Sequence, residues 1–218
     1  MKEGIKMKKK YLLFIFCAVL ISFIAIGVTT AYLTSTDDKV NVFTVGKVSI
    51  TLDETEVDEL GNKISDKRVN DNKYHLMPGY TYTKDPTVTI KKGSNDSYIR
   101  ILITMNKNIE LKAIYGEDFT PNDIYSNWGE NWEYIDKKIT EENVYEYEYR
   151  YKNVVNGLDG DKKLEPLFEK FTIPGKTTIS ELESLKDLKV KIKAQAIQAS
   201  GFENAEEAWD SFVTQYNE

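Results

Sequence analysis

Histidine and cysteine, two residue types that often carry catalysis or bind metals, are scarce in this chain. It contains one histidine, His75, and one cysteine, Cys17. Catalytic zinc sites need several His and carboxylate ligands, commonly in a His-Glu-x-x-His motif, and no such motif occurs. A lone histidine beside a turn is most often a surface residue, and no nucleophile is marked for a Ser-His-Asp triad. The residues therefore predict no catalytic site, no metal site and no cofactor.

Three polar segments invite a binding interpretation that their spacing does not support. Asp53-Glu54 and Asp159-Gly160-Asp161 lack the spaced oxygen ligands of a calcium loop, so we predict a solvated charge cluster and a turn. Asn95-Asp96-Ser97 matches an N-glycosylation acceptor, but its composition also suits a hairpin loop, which we predict.

Aromatic residues form the most suggestive pattern. Val144–Val155 alternates strictly, so that one strand face carries Tyr145, Tyr147, Tyr149 and Tyr151. Tyrosine combines apolar area with a polar tip, and such a stripe can bind carbohydrate or a partner chain. It can equally pack into the core with its hydroxyls near the rim. The same two interpretations apply to Trp128 and Trp132.

The first residues have the layout of a secretory signal. Lysines precede an apolar run of 18 residues, Tyr11–Val28, and small residues follow at Thr29 and Ala31. We predict that residues 1–31 are a signal peptide cleaved between Ala31 and Tyr32. The run is also close to the ~20 residues that span a bilayer, so an uncleaved anchor is the alternative, and the only route to a membrane that we predict.

The composition of residues 32–218, which would remain after cleavage, limits the chemistry and the partners that this part of the chain can have. Residues 1–31 carry five Lys and one Glu, so removing them changes the net charge from −6 to −10 and removes the only cysteine. Disulfides and thiolate chemistry are thereby excluded, and the acidity argues against nucleic acid as a partner. The length suits a single domain with one core.

Alternation predicts strands at Asn41–Leu52, Val144–Val155 and Val190–Ala199, and Thr87–Ile90 is a further predicted strand. Tyr98–Met105 is apolar at nearly every residue except Arg100 and Thr104, which predicts a central core strand. We predict that residues 53–73 are a charged loop, that Lys91–Ser97 is a hairpin loop, and that Leu167–Ile173 pairs with Val144–Val155. Met77–Tyr80 predicts a type II turn.

Helical signals are few. Pro121 can open a short helix, and Ser180–Leu188 has helical spacing. Asn204 can cap an amphipathic C-terminal helix that carries Trp209 on its apolar face. The sequence therefore predicts an all-β fold, a jelly-roll-like antiparallel β-sandwich with a few short helices.

The N-terminal residues also resemble a known family. The segments that carry this resemblance are Ala31-Tyr32-Leu33-Thr34 with Asp37-Asp38, and Asn41–Val48. They are similar to the start of Gram-positive exported proteins of the TasA/camelysin family, which a SipW-type signal peptidase processes. Weaker similarities lie at Met77-Pro78-Gly79, at Asp96–Arg100 and at Ala196–Ala199.

The resemblance implies a secreted jelly-roll protein of the cell surface or biofilm matrix. Family members form fibres in which the new N-terminal segment of one subunit adds as a strand to the next. Here that self-assembly strand would use Tyr32, Leu33, Val42, Phe43 and Val45, and the partners would be further copies, a second matrix protein and, during export, the signal peptidase.

Two other functions remain open. A camelysin-like surface metalloendopeptidase would show metal-dependent proteolysis that is lost on His75→Ala. A monomeric surface adhesin would bind through its tyrosine and tryptophan side chains.

Overall fold

Antiparallel strands dominate the chain. The computed structural model describes residues 34–37 and 48–216. The strands are β1 (Thr34–Asp37), β2 (Ile50–Val57), β3 (Lys63–Val69), β4 (Thr81–Thr83), β5 (Thr87–Ile90), β6 (Ser97–Met105), β7 (Tyr125–Ser126), β8 (Trp132–Glu141), β9 (Val144–Tyr151), β10 (Lys162–Lys163), β11 (Lys170–Thr172) and β12 (Val190–Gln198). The helices are α1 (Asn108–Tyr115), α2 (Pro121–Ile124), α3 (Ile179–Ser184) and α4 (Ala205–Tyr216).

These strands form three antiparallel sheets. The largest has the order β1-β12-β6-β9-β8, the second β10-β5-β2-β3, and the smallest β4-β11-β7. Helices and loops connect strands that lie in different sheets. The all-β, sandwich-like fold that the sequence predicts is confirmed.

The main core lies on the inner face of the five-stranded sheet. Alternate side chains of β6 (Ile99, Ile101 and Ile103) are fully buried there, as the two-residue repeat of a strand requires. They pack with the inward residues of β2 and β5, including Ile50 and Val88. Complete burial of a side chain of this size stabilises the fold by ~1.5–3 kcal/mol.

Helix α4 covers part of the outer face of the same sheet. Trp209 and Phe212 form a second buried cluster with Ile197 of β12. The helix begins as predicted, because the Asn204 Oδ1 accepts a hydrogen bond from the Glu207 amide at 3.0 Å. β12 is therefore packed on both faces.

Aromatic rings join the smallest sheet to the core. Tyr82 of β4 stacks on Phe171 of β11 with ring centroids 4.6 Å apart, and Tyr125 of β7 stacks on Phe168 at 3.9 Å. Tyr74 meets Phe171 edge to face at 5.0 Å. Such contacts add to the apolar burial of the rings.

The charged segment 53–73 is not the predicted loop. It contains the second half of β2 and all of β3, in a hairpin where Thr55 lies opposite Arg68. The Arg68 guanidinium donates to Asp53 Oδ1 at 2.7 Å, so charges that look solvated in the sequence pair with one another.

Two predicted pairings are also wrong. Lys91–Ser97 does not close a hairpin, because β5 pairs with β2 and β10 whereas β6 pairs with β12 and β9. The loop instead connects two sheets. Leu167–Ile173 contributes β11, which pairs with β4 and β7 rather than with β9.

Other local predictions are confirmed. Pro121 opens α2, behind a capping box between Thr120 and Asp123. Gly79 has φ of 74°, and the Tyr80 amide donates to the Met77 carbonyl at 3.3 Å, as a type II turn requires. No helix within residues 34–37 and 48–216 is long and apolar enough to cross a bilayer.

Candidate functional site: strand β1 and the edge of β12

Strand β1 lies at one end of the five-stranded sheet. It pairs antiparallel with β12, placing Thr34 opposite Ile197 and Asp37 opposite Ala194. Backbone pairing of this kind depends on extended geometry rather than on particular side chains. The first described strand of the chain thus occupies an edge position, which is where strand addition takes place.

The acceptor strand β12 is held by different contacts on its two faces. Ala194 and Ala196 are fully buried in the main core. On the other face Gln195 is 4% exposed, and its Oε1 accepts a hydrogen bond from Arg100 Nε at 2.7 Å. This packing keeps the β12 backbone extended opposite β1.

Arg100 joins the acceptor strand to helix α4. Its guanidinium carbon lies 4.3 Å from the Trp209 ring centre and 5.0 Å from that of Phe212, in cation–π geometry. Burial lowers the pKa of Arg100, while the Glu148 carboxylate at 3.3 Å favours its charged form. Arginine stays protonated in such a setting because its ordinary pKa is so high.

A neighbouring ion pair ties the start of α4 to β9. Arg150 contacts Glu148 within its own strand and Glu206 in the first turn of α4. Burial opposes the charge on Arg150, but its hydrogen bonds to these carboxylates raise its pKa overall. These contacts hold the start of α4 against β9, which belongs to the same sheet as the acceptor strand.

β1 covers only part of the β12 edge. Within the described residues, its pairing spans Ala194–Ile197, whereas β12 begins at Val190. The proposed donor strand therefore pairs with the second half of β12.

The residues predicted for cleavage and self-assembly are Ala31, Tyr32, Leu33, Val42, Phe43 and Val45, and they lie outside the described residues. β1 itself lies within the predicted self-assembly segment. The alternation of Val190–Ala199 predicts this strand but not its role as an acceptor edge, because sheet order depends on long-range pairing that no local pattern encodes.

The predicted tyrosine patch is not an exposed platform. Tyr147 and Tyr149 are 0% and 3% exposed, and burial raises the pKa of Tyr147 to about 12. Tyr145 and Tyr151 are half-buried and pack against the same core. All four point to one face, as alternation predicts, and that face packs against the main core.

His75 and the acidic segments lie apart from this site. The His75 side chain is exposed, and no group of three or more His, Cys, Asp or Glu that could hold a metal occurs in the described part of the chain. Asp161 contacts Lys91 and accepts a hydrogen bond from the Lys92 amide at 2.7 Å. The hydrogen bond from Lys91 lowers the pKa of Asp161.

Comparison with models of known protein families gave no match, and neither the curated proteins nor the solved structures contain a match to this chain. Arguments about function therefore rest on the residues and their geometry.

Proposed function

We propose that this chain is a structural protein exported to the surface or extracellular matrix of a Gram-positive bacterium, where copies join by strand addition. Strand β1 of one copy would leave its own sheet and pair with the β12 edge of the next copy. The resemblance of the N-terminal residues to the TasA/camelysin family supports this proposal.

The observation that carries the proposal is the pairing of β1 with β12 at the end of the sheet. An end strand has one strand neighbour, so it can be exchanged without dismantling the rest of the sheet. An intermolecular copy of the same pairing would keep the same backbone hydrogen bonds.

Exchange of this kind produces a polymer rather than a closed dimer when the geometry does not return to the first subunit. Donor strand and acceptor edge are different surfaces, so the contact is head to tail. Residues 38–49, which connect β1 to β2, would set how far the donor strand reaches. We therefore expect filaments that grow by adding one copy at a time.

Electron microscopy and size-exclusion chromatography test this directly. Protein beginning at Tyr32 should form filaments, and a version that lacks residues 32–41 should stay monomeric. A protein that begins at Tyr32 and remains monomeric under all conditions would contradict the proposal.

A substitution in β1 tests whether assembly needs strand pairing, because it leaves the length of the N-terminal segment unchanged. Proline has no amide hydrogen, and the amides of adjacent residues point to opposite sides of a strand. The double variant Ser35→Pro/Thr36→Pro should therefore remove a backbone donor to β12 and abolish filaments. The matched variant Ser35→Ala/Thr36→Ala keeps both amides and should still assemble.

A further inference from the structure

A cleft lined by aromatic rings opens beside β8, away from the β12 edge. Its volume is about 560 Å³, within the range of small-molecule sites in proteins. The rings come from the turn after β7 (Trp128), from β8 (Trp132 and Tyr134) and from β9 (Tyr149). Trp132 and Tyr149 also belong to the core, whereas Trp128 is half-buried and Tyr134 is exposed.

Packing fixes the orientation of Trp128 before any ligand arrives. Its ring stacks on Tyr149 with centroids 4.9 Å apart and planes 23° apart, and its Nε1 donates to the Tyr125 carbonyl at 3.2 Å. The adjacent Gly129 lies so close to the chain opposite that an added Cβ would come within 2.5 Å of the Pro166 carbonyl oxygen. Trp128 remains half-buried, so the residue keeps some exposed surface at the cleft.

Tyr134 extends this surface outward. It lies opposite Tyr149 in the pairing of β8 with β9, with ring centroids 5.5 Å apart. Its side chain faces the same way as the buried tyrosines, but it belongs to the last strand of the sheet and remains 48% exposed. An exposed ring beside a fixed, half-exposed ring makes a platform that a flat apolar face can cover.

The rim of the cleft is polar but uncharged. Asn122, Ser126 and Asn127 are exposed there, and the lining includes no Asp, Glu, Lys or Arg. Asn127 adopts a left-handed backbone conformation with φ of 56°, and its Nδ2 donates to Glu169 Oε2 at 3.0 Å, which fixes the amide. The charge nearest to this amide is therefore the negative charge of Glu169, which does not itself line the cleft.

We infer that this cleft binds a neutral hexopyranose unit of a polysaccharide. One face of a pyranose ring presents C–H groups, which pack on aromatic rings, while hydroxyls around its edge exchange hydrogen bonds with amide and hydroxyl groups. An anionic sugar would bring a charge that no cation in the lining offsets. The inference does not depend on filament formation, because the cleft and the β12 edge lie at opposite ends of the five-stranded sheet.

Titration of tryptophan fluorescence in the full chain tests the inference. The probes are cellohexaose and chitohexaose as neutral sugars, a polygalacturonic acid oligomer as the charged sugar, and a proline decamer as a peptide that also packs on aromatic rings. We expect a saturable change with a neutral sugar and none with the charged sugar or the peptide.

Variants locate the binding. Tyr134→Ala should weaken binding about fivefold or more because it removes an aromatic contact, and Trp128→Phe should weaken it while keeping a ring against Tyr149. Ile139→Ala is the matched control, since Ile139 lies on the same strand and is 64% exposed. Circular dichroism checks that each variant is folded.

Three results would overturn the inference. They are the absence of binding to both neutral sugars at millimolar concentration, sugar binding that neither Tyr134→Ala nor Trp128→Phe weakens, and binding of the proline decamer in preference to sugar. The last result would assign the cleft to peptides.

Discussion

Arg68 connects three segments of the chain through one guanidinium group. Its Nε donates to Asp53 Oδ1 at 2.7 Å, its Nη1 contacts the Asp85 carboxylate, and its Nη2 donates to the carbonyls of both residues. The side chains of Arg68, Asp53 and Asp85 are 23%, 24% and 16% exposed, so solvent screens them only in part. This network explains why the charged segment folds as a hairpin.

Arg68→Ala should lower the free energy of unfolding by about 2–3 kcal/mol, because two half-buried carboxylates lose the cation that both contact. Arg68→Lys should recover less than half of the loss, since an ammonium group cannot reproduce the planar set of donors. Urea denaturation measures both. Lys63→Ala is the control, because its ion pair with Asp66 is exposed and should contribute little. Equal effects of Arg68→Ala and Lys63→Ala would contradict this assignment.

Trp209 is the side chain that attaches α4 to the sheet. It is 1% exposed and lies over Arg100. Trp209→Ala should cost about 3–5 kcal/mol in the free energy of unfolding, since it leaves a cavity and removes the ring above the guanidinium. Trp209→Phe should cost less than half as much, because a ring remains and the buried indole N–H has no hydrogen-bond partner within the described residues.

Thermal and urea unfolding compare these two variants with Ile179→Ala, an exposed control on α3. If Trp209→Phe proved as damaging as Trp209→Ala, the indole N–H would need a partner that the contacts in the described residues do not include.

At the scale of elements, the strands that the sequence predicts are those with an apolar face. β9 alternates between buried and partly exposed residues, whereas β6 and the second half of β12 are buried on both faces. Both patterns can be read from the local order of apolar residues. β8 and β3 carry charges on both faces, and all of β8 except Trp132 is exposed. Their extended conformation depends on pairing with β9 and β2, which a local pattern does not show.

The candidate site also has one part that the sequence predicts and another that it does not. The extended conformation of β1 could be predicted, because the residues after the predicted cleavage site have strand character. The acceptor edge could not, because its position follows from the order β1-β12-β6, which joins segments from the two ends of the chain. The aromatic cleft was predicted only as a choice between ligand binding and packing; Tyr147 and Tyr149 are in the core, while Tyr134 was not singled out.

Hydrogen exchange can detect the pairing of β1 at the level of the strand. If β1 protects β12, deletion of residues 32–41 should speed exchange of the amides of Ala194–Ile197 that point toward β1. Amides in the same stretch that point toward β6, and those of Ile101, should change little. Unchanged exchange throughout Ala194–Ile197 would mean that β1 does not occupy this edge in solution.

The whole molecule buries an unusual set of phenols in and around one core. Burial raises the pKa of Tyr147 to about 12, and it raises the pKa of four others further: Tyr74, Tyr115, Tyr125 and Tyr149. Because the folded-state pKa lies above the unfolded value of about 10, these tyrosines stabilise the fold fully below pH 10. That stabilisation is lost as the pH rises through the folded values, since the unfolded chain releases protons that the native state retains.

We therefore expect that these tyrosines cause no pH dependence of the free energy of unfolding near neutral pH. Above pH 10 that free energy should fall steeply, by up to ~1.4 kcal/mol per pH unit for each tyrosine. Absorbance at the phenolate band, followed together with circular dichroism, should show part of the tyrosines ionising only as the protein unfolds. Tyr147→Phe should reduce the pH dependence above pH 10, whereas Tyr80→Phe, a half-buried tyrosine at the edge of the core, is the matched control. Complete phenolate formation near pH 10 with the fold intact would contradict the buried arrangement, because a phenol buried in the core cannot ionise there without being exposed.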